Sequence, residues 1–348
     1  MTSAPSGHRD PAPPPPPDLG ELPSADPGAL ERTVADSEAT GARYGVWTLR
    51  AASVRGAGAR LRGEPRRDGL LVARFGTGES ALVLVALASG TPLAADATRW
   101  LGGAVGRSHA RLVQDIRAGR RGDLTSGLHR ITDRVFGRLR SIPSVPPSPS
   151  HSSVSSVSPV SFDSPVPSVP SGARVPALSL RCLLLPADPG CRDRVFFGVG
   201  PGGFFRLRDG RWQDIGPALP APAPPVPESR REPTPLRPAR PVTIDGDRVT
   251  MDLRIAAAPP PPPAEPFRFR AAVARPGDLV LLCGPGLAAP MRADPALAAA
   301  LAGRWAASGP PALPAFLTDL QLGADHHGEG ADQHGEGADR TAAAVWDD

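Results

Sequence analysis

Apolar and polar positions change their period several times along this chain, and each change marks an element. "YGVWTLRAASV" (44–54) reads as a strand. "GLLVARF" (69–75) and "SALVLVALASG" (80–90) are β-rich runs separated by "GTGE", a turn signal that predicts a hairpin. The second run is almost continuously apolar at its start, which predicts a central strand covered on both faces. From Ala94 the period becomes helical. Trp100, Leu101, Val105, Leu112 and Ile116 share one face over 94–119, and Leu128, Ile131, Val135, Phe136 and Leu139 share another over 124–141.

The Ser/Pro/Val-rich stretch at 142–176 carries neither period and reads as a linker. Strands are predicted again at "ALSLRCLLL" (177–185), "RVFFGVG" (194–200) and "GFFRLRDGRWQDI" (203–215). A Pro-rich insertion occupies 217–241, and "TIDGDRVTMDL" (243–253) reads as a short hairpin. Near the C-terminus "LVLLC" (279–283) runs into Gly284-Pro285-Gly286, a rigid turn followed by helices near 293–306 and 311–321 and a last strand at 341–346. Eight or nine strands with helices grouped in pairs oppose strict βαβ alternation and predict two sheets with helices outside. The Pro-rich, acidic residues 1–40 are expected to be disordered, and 41–348 to form one domain interrupted at 142–176 and 217–241.

Composition excludes more than it selects. The formal net charge is +4, and the 39 cations are matched by 35 acids. All the cations are Arg, in a chain rich in Ala, Gly and Pro, which is the mark of a compositional bias; no nucleic-acid partner is expected. Without Lys there is no Gly-Lys-Ser/Thr phosphate loop. Cys182, Cys191 and Cys283 match no metal-binding spacing and read as thiols, two of them in apolar runs. The N-terminus lacks the apolar core of a signal peptide and no run is long enough to span a membrane, so a soluble cytoplasmic protein is expected. A seven-residue repeat within 323–339 gathers His, Asp and Glu, donors suited to Zn²⁺ or Ni²⁺. Its glycine density opposes a rigid ligand shell, and it reads as a duplicated loop.

The motif order "GEPRRDGLLVARF", "ALVLVALASG", "RVFFGVGPGGFFRLRDGRW", "RPGDLVLLCGPGL" and "GADRTAAAVW" resembles the metal-dependent protein Ser/Thr phosphatases of type 2C, in the form common in actinobacteria. The resemblance covers about residues 44–346. It implies an α+β fold of two antiparallel sheets packed as a sandwich with helix pairs outside. It also implies two Mg²⁺ or Mn²⁺ ions, held mainly by Asp, that activate a bridging water.

This chain departs from that pattern at the carboxylates. Where the family has the Asp of Val-Ala-Asp-Gly, here stands Ser89. Where it has Thr-Asp-Gly, here stand Gly284, Pro285 and Gly286. Ala338 occupies the first Asp place before Asp339, Arg340 and Thr341, and the Gly-Asp turn has become Gly200-Pro201-Gly202. Asp68 remains as a residual metal ligand, preceded by Arg67, and Arg62 lies near the place of the family's phosphate-gripping Arg.

The resulting expectation is a pseudophosphatase with no catalytic residues and no metal cofactor. It would act through a protein partner such as a phosphoprotein or kinase, with no membrane partner. Two other readings stand beside it. One is an active Mg²⁺- or Mn²⁺-dependent phosphatase whose ligands have moved to Asp68, Asp96, Asp278 or Asp339; the other is a scaffold working through the Pro-rich segments, whose Ser-Pro sites are Ser148, Ser158 and Ser164.

Overall fold

A computed structural model describes residues 33–142, 178–216, 267–307, 309–322 and 337–348, with Pro23, Pro27 and Gly28. The linker at 143–177, the insertion and predicted hairpin within 217–266, and the repeat at 323–336 lie outside the described residues.

The chain opens with a hairpin, β1 (Ser37–Tyr44) and β2 (Trp47–Val54). The sequence pattern showed only its second strand. β1, "SEATGARY", is polar and has no buried residue, so it carries no apolar alternation to read, and it begins inside the segment expected to be disordered to residue 40. A short helix α1 (Ala57–Leu61) leads to β3 (Gly69–Phe75), β4 (Leu82–Ser89), and the long helices α2 (Ala94–Arg117) and α3 (Arg121–Arg140). Next come β5 (Ser179–Pro186), β6 (Asp193–Val199), β7 (Gly203–Arg208) and β8 (Arg211–Asp214). β9 (Arg268–Val273), β10 (Leu279–Cys283), helices α4 (Pro285–Ala293), α5 (Pro295–Ala307) and α6 (Leu313–Gln321), and β11 (Arg340–Asp347) complete the described chain.

The strands form two antiparallel sheets. One has the order β1-β2-β11-β10-β7-β8, and the other β3-β4-β5-β6-β9. Three apolar clusters fill the layers between and around them. Trp47, Leu49, Val83, Val85, Leu183, Leu185, Val280, Leu282 and Val345 come from both sheets and meet in the middle layer. Leu82, Leu84, Leu180 and Leu184 point the other way, against α2 and α3, while Leu279, Leu281, Ala342 and Ala344 face α4, α5 and α6. Every residue of β4 is buried, as its continuous apolar run demands, and each such Leu or Val contributes about 2 kcal/mol. The α+β, two-sheet architecture implied by the sequence is thus present, with a helix pair on one face and three helices on the other.

The turn expected at Gly284-Pro285-Gly286 is instead a helix start. Gly284 caps α4 and Pro285 takes its first position, where the missing N–H leaves no unmade bond. No helix among the described residues is long and apolar enough to cross a membrane. Cys182, Cys191 and Cys283 are all buried free thiols, and burial drives the Cys283 thiol up to about 12.

Candidate functional site

Strand alternation places the departures from the phosphatase pattern in one layer. Residues 83, 85 and 87 of β4 point between the sheets, so Ser89 does too. The same parity carries Ser53 of β2, Ser179 and Arg181 of β5, and Thr341 of β11 into that layer. The ladders align them at one end of the sandwich: Ser89 is opposite Ser179, Gly69 opposite Ala88, and Cys283 opposite both Gly203 and Ala342. A Cβ on Gly284 would lie 3.1 Å from Ser89 Oγ and 3.4 Å from Asp68 Oδ2, and one on Gly286 would lie 3.3 Å from the Ala338 Cβ. Ser89, Asp68, Gly284 to Gly286 and Ala338, widely separated in sequence, therefore share one place.

Asp68 is the buried carboxylate of that place. Its Oδ2 accepts a hydrogen bond from the Thr341 hydroxyl at 2.8 Å. Since that proton is used, the Ser53 hydroxyl donates to Thr341 Oγ1, 2.6 Å away, and Arg66 Nη1 donates to Ser53 Oγ at 2.7 Å. The relay runs from a guanidinium, held by Glu38 at 3.0 Å, through two hydroxyls to the carboxylate. Burial outweighs it. Desolvation, and next the charge of Asp339, push Asp68 up to about 7, against smaller opposing effects of Thr341, Ser89 and Arg66. Ser89 Oγ lies close enough to favour the charged carboxylate yet makes no hydrogen bond of normal geometry, so it is buried without a partner among the described residues.

The retained "DRT" triplet is occupied with structural tasks. Asp339 accepts hydrogen bonds from the backbone N–H of Gly56 (2.8 Å), Arg67 and Asp68 (3.0 Å), tying the loop before β3 to the start of β11. Arg340 Nη1 donates to the carbonyls of Leu320 (3.0 Å) and Leu322 (2.6 Å), closing the end of α6. Thr341 serves Asp68.

These residues do not fit a pair of hard divalent cations. Such a pair needs several carboxylate oxygens converging on it. At the family's positions here stand a hydroxyl, a proline and a methyl group, and both Asp339 oxygens are taken by backbone donors. Among the described residues no three of His, Cys, Asp and Glu converge as a metal group. Of the acids considered as displaced ligands, Asp68 and Asp339 are neighbours. Asp96 is half-buried on α2 and paired with Arg99 at 3.2 Å, and Asp278 sits at the other end of β10, held by Nε and Nη2 of Arg208.

Arg62 ends the short helix α1. It is exposed and paired with Glu64 at 3.1 Å. An exposed pair of this kind contributes little, so Arg62→Ala is expected to change unfolding free energy by less than about 0.5 kcal/mol in chemical denaturation. A larger loss would mean that Arg62 holds more than Glu64.

Sequence reading missed a second feature at this end, a cleft of about 720 Å³ lined by Arg181, Arg268, Arg270 and Arg292 with Phe197, Gly198, Gly200 to Gly202 and Asp214. Its signal was legible: in "SLRCLLL" the charged Arg181 shares the parity of Leu183 and Leu185, a buried-layer position.

No family model matches the chain, and no curated protein matches it in sequence. Solved structures do. PppA, a regulatory component of the type VI secretion system of Pseudomonas aeruginosa, matches with 18% identity and a TM-score of 0.45, covering 89% of this chain and 100% of that one. The Mycobacterium tuberculosis serine/threonine phosphatase PstP/Ppp matches with 18% identity and a TM-score of 0.43, over 86% and 98% of the two chains. The PPM Ser-Thr phosphatase MsPP of Mycobacterium smegmatis, in complex with cacodylate, matches with 18% identity and a TM-score of 0.42, over 89% and 97%. The chain is similar to PPM-type phosphatase structures.

Proposed function

We propose that this chain is a type 2C phosphatase-like protein that no longer hydrolyses phosphoesters and acts by binding a protein partner in cytoplasmic phospho-signalling. The observation that carries the reading is the convergence of Ser89, Pro285 and Ala338 beside a single desolvated Asp68 whose acceptor is engaged by Thr341. A lone carboxyl supplies at most one negative charge, far short of what a pair of divalent cations needs. The surrounding scaffold is intact, with both sheets closed over a packed middle layer, which is what a binding role requires.

The test is hydrolysis of p-nitrophenyl phosphate by the purified full chain with Mn²⁺ or Mg²⁺, beside an Asp68→Ala variant. The expected rate is that of metal ions alone, unchanged in the variant. Metal-dependent turnover that vanishes in Asp68→Ala would overturn the proposal in favour of an active enzyme with displaced ligands.

A further inference from the structure

Charge is unevenly divided in this molecule. The α2/α3 hairpin, residues 94–141, holds ten Arg and four Asp, an excess of six cations, whereas the chain as a whole has an excess of four. Everything outside the hairpin therefore carries two more acids than cations. The four Asp of the hairpin are all engaged: Asp96 with Arg99, Asp115 with Arg111 and Arg120, Asp123 with Arg120, and Asp133 with His129. Arg117 pairs with Glu79 and Asp188 from neighbouring loops. That leaves Arg107, Arg121, Arg130, Arg134, Arg138 and Arg140 exposed and without a carboxylate among the described residues.

Four of them share one face. α3 buries Leu124, Leu128, Thr132 and Val135, while Arg130, Arg134 and Arg138 follow one another at four-residue spacing along a different side, about 6 Å apart. Arg138 fixes which side that is. Its guanidinium carbon lies 4.4 Å from the centroid of the Trp100 ring, so the row borders α2. The two helices run antiparallel across the tight connection at 118–120, so a step toward that connection from Trp100 is matched by an equal step from Arg138. Arg107, two turns on from Trp100 and on the same side of α2, thereby comes level with the stretch between Arg130 and Arg134. Like charges at this spacing weaken the helix that carries them, and an acidic surface laid over the row would reverse the sign of that effect. The linker that follows α3, 143–177, contains one acid, Asp163, and one Arg, Arg174, so it brings no net charge to the face.

We propose that Arg107, Arg130, Arg134 and Arg138 form a docking surface for an acidic helical segment of a protein partner. Carboxylates recurring every four residues on a helix match the Arg row in spacing, and the planar guanidinium fork donates in parallel to both oxygens of one carboxylate. The row from Arg130 to Arg138 is about 12 Å long, just over two helical turns, so a short acidic segment fits within it. A nucleic acid or an anionic bilayer would run past it and meet the rest of the chain, whose net charge is negative. The choice of a protein partner rests on the binding role proposed above; the basic face itself rests on the two helices alone.

The test is fluorescence anisotropy of a labelled helical peptide with Glu at every fourth position, titrated with the full chain, beside its Gln counterpart and a labelled DNA duplex; sedimentation with phosphatidylserine vesicles is measured in parallel. The variant is Arg130→Gln with Arg134→Gln. Arg211→Gln with Arg275→Gln, at exposed positions on other elements, removes the same charge as a control. The Glu peptide is expected to bind and the Gln peptide not to. Affinity should fall about fivefold or more in the Arg130/Arg134 variant, change less than about twofold in the control, and weaken as salt is raised. An equal loss in the control, or no binding of the Glu peptide, overturns the surface. DNA or vesicles bound more tightly than the peptide, and through Arg130 and Arg134, overturn the protein partner. Metal-dependent hydrolysis of p-nitrophenyl phosphate, with peptide affinity still lost in the Arg130/Arg134 variant, would leave the surface standing while removing the non-hydrolytic reading.

Discussion

Asp68→Asn is expected to stabilise the protein at pH 8 by up to about 4 kcal/mol and to leave it unchanged near pH 4. The folded carboxyl keeps its proton to about 7, whereas in the unfolded chain it releases it near the ordinary 3.8. Between those values the folded state holds more protons than the unfolded state, so stability falls as pH rises. Below the lower value the contribution is fully present; above about 7 it is gone. Asn cannot ionise and still offers an oxygen to the Thr341 hydroxyl, so the variant should lose the slope and keep the contact. Chemical denaturation at several pH values reads the effect. A variant less stable than the parent at pH 8 would show that the ionised carboxylate is the favoured form, held by a partner strong enough to overcome burial. That result would reopen the case for a bound cation.

Asp339→Ala should act in the opposite direction, lowering stability by about 3 kcal/mol or more at neutral pH. Three backbone donors, on Gly56, Arg67 and Asp68, lose a charged acceptor at once. These bonds join segments more than 270 residues apart in the chain, so no local rearrangement replaces them. The substitution has a second effect, because it removes the negative charge that helps hold up Asp68. The pH slope attributed to Asp68 should therefore become shallower in Asp339→Ala, and the two substitutions should not add in the double variant. Additive effects would mean that the carboxyls do not sense each other. A loss below about 1 kcal/mol would mean that water satisfies the three donors after Asp339 is gone.

The two substitutions separate meanings that sequence alone runs together. Asp339, Arg340 and Thr341 look like the remnant of a catalytic motif. In the folded protein each has a structural partner: a loop, a helix end and a buried acid. These partners account for the three residues without any catalytic role, which is why the presence of such a triplet is weak ground for activity.

Elements with strong periodicity were legible in the sequence. The β3–β4 hairpin, the all-buried β4 and the α2/α3 pair followed from apolar spacing, because burial of those faces is what holds the elements in place. The polar edge strand β1 was not legible, since an edge strand is held by main-chain pairing with β2 that side-chain pattern does not record. Nor was the role of Pro285: a Gly-Pro-Gly triplet suits a turn and a helix start alike, and the choice depended on α4 packing beneath β10.

At the candidate site the division is sharper. The chain by itself determined which side chains were present, and so the absence of a carboxylate at Ser89, Pro285 and Ala338, because chemical identity needs no fold. Tertiary structure alone decided their meaning. Burial turned the surviving Asp68 into an acid that favours its proton, and strand pairing set Arg181 and Arg268 on either side of Gly198. Desolvation and like-charge proximity are properties of distance in space, and sequence separation carries no measure of that distance.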